Sequence, residues 1–83
     1  MIQIAEGVTY GRVADEAMIV NAEAGTALRV DETGSNIWEM IYKGKDAEDI
    51  IEYFGTLYPL QKEQIRVDVM EFIDSLKKEK ILL

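Results

Sequence analysis

Cysteine and histidine are both absent from this sequence, and proline occurs once, as Pro59. Without cysteine there is neither a disulfide nor a thiolate nucleophile, and without histidine there is no imidazole base. Together the two absences remove the usual zinc ligand sets. The six glycines are scattered and form no phosphate-cradling loop. No apolar run approaches the roughly 20 residues that span a bilayer. The segment Met1-Ile2-Gln3-Ile4-Ala5-Glu6 has neither the basic start nor the apolar stretch of a signal peptide, so a cytoplasmic location is the expectation. Positive charge is also scarce: nine Lys and Arg stand against sixteen Asp and Glu, a net charge of −7. Nucleic-acid binding relies on clustered cations that neutralise phosphates, so this balance argues against DNA or RNA as a partner. It disfavours an anionic membrane surface for the same reason. Peptides, above all those with some positive charge, remain open.

What is present suffices for one small domain over residues 1–83. A domain of this size buries only about 60% of its unfolded surface, so most of its apolar residues are needed in the core. The first third reads as strands. Val8-Thr9-Tyr10-Gly11-Arg12-Val13 is β-branched and aromatic, and Ala14-Asp15-Glu16 follows as a turn. Ala17-Met18-Ile19-Val20-Asn21 is an apolar run suited to a central strand, and Gly25 closes the next turn with freedom to adopt positive φ. In Thr26 to Asp31 the pattern alternates, with Thr26, Leu28 and Val30 on one face and Ala27, Arg29 and Asp31 on the other. Connections this short predict an antiparallel meander.

The remainder reads as three helices. Asp31 or Thr33 caps the first, whose apolar face is Ile37, Trp38, Met40 and Ile41, and Gly44 ends it. Asp46 opens the second, with Glu48 and Asp49 suited to the positive helix end and Ile50, Ile51, Phe54 and Leu57 as its buried face. Pro59 interrupts the pattern. The third helix runs from about Gln61 to Lys80, with Ile65, Val69, Phe72, Ile73 and Leu76 as its core stripe. Ile81-Leu82-Leu83 is expected to pack back on the body. The predicted class is α+β, three antiparallel strands and then three helices, in a winged-helix-like order.

Chemistry finds little purchase in these residues. Asp46, Glu48, Asp49 and Glu52 crowd the second helix, but such a group reads most simply as a solvated face. The same segment lacks the spacing and central glycine of a calcium loop. Ser35 has no histidine to activate it. Trp38 and the methionines Met18 and Met40 read as core residues. The chain is therefore expected not to be an enzyme and to carry no cofactor or metal.

Two surfaces stand out instead. On the third helix, Arg66, Val67, Met70, Asp74 and Lys77 fall on one flank of the core stripe, about 100° to 200° from Ile65. That flank is either a helix boundary packed on a loop or the wall of a groove. The strand Thr26, Ala27, Leu28, Arg29, Val30 is an edge of the meander, and it has neither the proline nor the lysine that commonly blunts an edge. It is either hidden by a helix or a second copy, or open to a peptide that adds a strand. An uncovered edge fits a monomer or a weak dimer.

The run Leu28-Arg29-Val30-Asp31-Glu32-Thr33-Gly34-Ser35-Asn36-Ile37-Trp38 resembles the strand-to-first-helix segment of the PqqD-like family. Asp46-Ala47-Glu48-Asp49-Ile50-Ile51, Tyr58, Val67 to Leu76 and Ile81-Leu82 match in the same order, so the likeness covers nearly the whole chain. It implies a domain that captures the leader of a ribosomally made precursor peptide and brings it to a modifying enzyme or leader peptidase. In such domains the leader lies as an added strand against the third strand, in a cleft closed by the third helix. Carried to this chain, the walls are Thr26 to Val30 and Arg66, Met70, Ile73, Asp74 and Lys77, with Val67 beside them. The quinone-cofactor members usually carry Cys-Asp-Gly after the first helix and a Trp near the C-terminus. Here those places read Tyr42-Lys43-Gly44-Lys45 and Ile81-Leu82-Leu83. The chain looks more like the stand-alone leader-binding proteins of lasso-peptide pathways. The fold outline also admits a winged-helix transcriptional regulator, although the third helix lacks a dense basic face.

Overall fold

The computed structural model describes all residues 1–83. Strands β1 (Val8–Val13), β2 (Glu16–Asn21) and β3 (Thr26–Val30) form one antiparallel sheet in the order β1-β2-β3. The β1–β2 turn is shorter than expected, because Glu16 already pairs with Val13 and Ala14 takes a positive φ of 56°. Gly25 supplies the left-handed residue of the second turn at φ 73°. Alternation then gives the sheet an inner face of Val8, Tyr10, Ala17, Ile19, Leu28 and Val30, turned toward the helices. The expectation that Met18 lies in the core is corrected. Its register beside Ile19 turns it to the outer face, where it is 39% exposed. Met40 is half-buried against the core.

Helix α1 (Glu32–Tyr42) starts at Asp31, whose carboxylate accepts the Gly34 N–H at 2.9 Å. Gly44, at φ 95°, follows its end. Helix α2 (Ala47–Leu57) carries a full capping box, Asp46 accepting from the Asp49 N–H while the Asp49 side chain accepts from the Asp46 N–H. Pro59 begins a single 3₁₀ turn, Pro59–Gln61, that leads into α3 (Lys62–Lys78). Trp38 is fully buried, with the rings of Tyr10 and Tyr42 5.6 Å and 6.0 Å away. Around it Ile19, Ile50, Ile51, Val69, Leu76 and Ile81 complete the core. Leu57, predicted to face that core, is instead exposed, because α2 ends there. Ile65 and Phe72 of the α3 stripe are only half-buried.

Two hydrogen bonds fasten the end of α3 to the sheet, and a third ties the residues after it to the segment before β1. The buried Asn21 donates to the Lys80 carbonyl at 2.6 Å, and its own carbonyl accepts from the N–H groups of Glu23 and Ala24. The Thr26 hydroxyl donates to the Glu79 carbonyl. Ile81 and Leu82 are buried as expected, and Ile81 accepts from the Ala5 N–H at 2.9 Å. Helix α3 is thus anchored at the start of β3.

Candidate functional site

Which backbone groups of β3 are spent, and which are free, follows from the phase of the ladder. Backbone bonding in an antiparallel pair alternates, so each residue of a central strand bonds to one neighbour strand and the next residue to the other. The Ala22 N–H donates to the Gly7 carbonyl at 3.0 Å, which extends the β1–β2 ladder one step beyond the pair Val8–Asn21. Counting back by twos, Val20, Met18 and Glu16 bond to β1. Asn21, Ile19 and Ala17 are therefore left for β3, where they face Thr26, Leu28 and Val30. The N–H and C=O groups of Ala27 and Arg29 consequently point away from the sheet. No other strand lies on that side, the one isolated bridge of the chain being Ile4 with Leu82. Unpaired backbone groups in this spacing are what an incoming strand requires.

A groove of ≈ 530 Å³ runs beside this edge. Leu28, Arg29 and Val30 form one wall, Asp68, Phe72 and Ser75 of α3 the other, and Asp31, Thr33, Gly34 and Ile37 at the start of α1 the floor. The floor is low because Gly34 has no side chain. A Cβ there would sit 3.0 Å from the Val30 Cβ and 3.2 Å from the Phe72 Cε1. The Thr26–Glu79 contact closes one end, and the other opens past Asp31 and Asp68.

The expected site residues divide between this groove and other surfaces. Leu28, Arg29 and Val30 line it, Ala27 offers its free backbone, and Thr26 closes its end. Arg66, Val67, Met70, Asp74 and Lys77 do not line it. Arg66 lies toward α2 and donates to the Glu48 carboxylate at 2.8 Å, which holds its guanidinium above the ordinary arginine range. Met70 and Val67 are exposed, Lys77 faces a hollow beside Ala5 and Leu83, and Ile73 is buried in the core. The physical reason is that a core stripe has two flanks. Asp68, Phe72 and Ser75 occupy the flank opposite to the one expected, about 280° to 340° from Ile65 on the same projection.

A larger hollow of ≈ 610 Å³ lies between α1 and α2, lined by Met40, Tyr53, Phe54, Leu57 and Tyr58 among others. Its walls are helices, so it offers no strand edge and lacks the row of free backbone N–H and C=O groups that the smaller groove has. No cluster of three or more His, Cys, Asp or Glu side chains is arranged to hold a metal ion. Ser35 is fully buried, beyond the reach of a substrate. No helix is long and apolar enough to cross a membrane.

The family model described as Coenzyme PQQ synthesis protein D (PqqD) matches residues 16–82. The chain belongs to the PqqD family. The match takes in β2, β3 and all three helices, hence both walls and the floor of the groove. A solved structure described as TbiB1 in complex with the TbiA(beta) leader peptide superposes on this PqqD-family chain with a TM-score of 0.87. The two are 25% identical, and the alignment covers 96% of this chain and 93% of that one. No curated protein matches the chain by sequence. The family and the α+β order of three strands and three helices agree with what the sequence implies.

Proposed function

We propose that this chain is a non-catalytic adaptor of a peptide-modification pathway. It takes the leader of a ribosomally made precursor as an added strand on β3 and delivers it to a modifying enzyme or leader peptidase. The observation that carries this reading is the free edge at Ala27 and Arg29, set beside a groove on a fold shared with a leader-bound relative. The chain acts as one domain over residues 1–83, in the cytoplasm where precursors are made. A lasso-type pathway is favoured, since Tyr42-Lys43-Gly44-Lys45 and Ile81-Leu82-Leu83 depart from the quinone-cofactor members and leave the chain looking more like stand-alone leader-binding proteins. On this reading the contact residues are Ala27, Leu28, Arg29 and Val30 on the strand and Asp68, Phe72 and Ser75 on the helix.

A five-residue edge spans about 17 Å, enough for a short guest strand. Affinity from such a contact ranges from micromolar to nanomolar according to how well its anchors fit and how much ordering the peptide undergoes. Calorimetry with the leader half of a precursor encoded beside the gene tests the reading. Saturable one-to-one binding at or below micromolar Kd is the expected outcome. Absence of heat at tens of micromolar rejects the adaptor role.

A further inference from the structure

The groove has a chemical gradient that the backbone edge alone does not require. Its middle is apolar, built from Leu28, Val30, Ile37 and Phe72, with Ser75 toward the closed end and its hydroxyl spent on the Glu71 carbonyl, while the open end carries Asp31 and Asp68. Asp31 is committed to the α1 N-terminus through the Gly34 N–H. Asp68 is exposed, accepts only from the Gln64 amide at 2.8 Å and has no cation beside it. The two ion pairs of the chain, Arg12–Glu39 and Arg66–Glu48, lie elsewhere. Arg29 is the cation of the groove rim, but alternation turns its side chain toward the outer face of the sheet.

Spacing gives this arrangement a specific meaning. Phe72 and Asp68 are four residues apart on one helix face, which is about 6 Å along the axis. Two residues of an extended guest advance about 6.6 Å and return its side chains to the same face. We infer that the groove selects peptides in which an apolar residue, seated against Phe72, is followed or preceded two positions away by a Lys or Arg that meets Asp68. The intervening guest residue points to the opposite face. The net charge of −7 assists by drawing cationic segments toward the domain. This inference rests on the leader-binding reading and adds to it the chemistry by which one leader is told from another.

The test is a charge-swap cycle read by calorimetry, with the leader half of the neighbouring precursor as the probe. The wild-type chain and Asp68→Lys are each titrated with the native leader and with a leader whose basic residue is replaced by Glu. Asp68 is exposed and outside the core, so circular dichroism of Asp68→Lys is expected to match wild type. Each single change raises Kd about tenfold, an exposed attraction having become a repulsion of similar size. The doubly swapped pair returns to within about threefold of the native pair. Native affinity in Asp68→Lys, or a doubly swapped pair as weak as the single changes, overturns the inference while leaving the adaptor reading intact. So does a leader that binds without any basic residue two positions from an apolar one. A wild-type chain that binds no leader at all overturns both.

Discussion

Arg29→Pro weakens leader binding by about tenfold or more while leaving the fold intact, because proline removes one N–H and that N–H faces the guest. In the phase set by the Ala22–Gly7 bond, the Arg29 amide is not part of the β2–β3 ladder. An edge strand accepts proline at such a position. The guest loses a donor, and the carbonyl it should have bonded is left against the pyrrolidine ring. A buried acceptor left unmade costs about 1–3 kcal/mol, which corresponds to roughly five- to 150-fold in Kd. Leu28→Pro is the matched control, since its N–H faces Ile19 inside the sheet. That variant is expected to lose much of its thermal stability, whereas Arg29→Pro melts close to wild type. Equal melting losses in the two variants contradict the assigned phase. Unchanged affinity in Arg29→Pro contradicts strand addition.

Phe72→Asp is expected to abolish measurable binding at tens of micromolar, and Met70→Asp to leave Kd within about twofold of wild type. The two residues stand on opposite sides of the α3 core stripe. Phe72 faces Val30 and Gly34 across the groove, so a carboxylate there places an unpaired charge where the guest's apolar side chain would be desolvated. Met70 is 43% exposed and away from that wall. Phe72 also packs against the core, so Phe72→Ala is the milder companion, with an expected stability loss of about 2 kcal/mol and a clear rise in Kd. Weak binding by Met70→Asp together with normal binding by both Phe72 variants would transfer the site to the other flank.

That contrast also marks how far residues alone carry the structure. The three strands were legible because β-branched runs are separated by turn residues and Thr26 to Val30 alternates cleanly. The helices were legible from their caps, Asp31 and Asp46, and from the break at Pro59. Two features were not. Ala17 to Asn21 is apolar on both faces, so its composition does not say whether Met18 or Ile19 points inward, and only pairing with β1 and β3 decides it. In α3 the apolar period fixes the direction of the core and leaves its flanks equivalent. The choice is made by neighbours remote in sequence. Glu48 pairs with Arg66 and Gly55 approaches Lys62 on one side, while Gly34 admits Phe72 on the other. The small residue at Gly34 was the available signal, since a glycine in a first helical turn marks a close approach.

The α3 surface also speaks against duplex DNA as a ligand. Its exposed cations are interleaved with Glu63, Asp68, Glu71 and Asp74, and Arg66 is already paired with Glu48. Duplex binding draws most of its affinity from clustered cations set against phosphates, and this surface offers no such cluster.

Amide hydrogen exchange followed residue by residue by NMR, with and without the leader, reports directly on the strand edge. In the free chain Leu28 and Val30 should exchange slowly and Ala27 and Arg29 fast. Saturating leader should slow Ala27 and Arg29 by at least about tenfold, as expected for amides newly held in a ladder. A leader that binds tightly while both amides exchange at their free rates would mean that the peptide is held somewhere other than on β3.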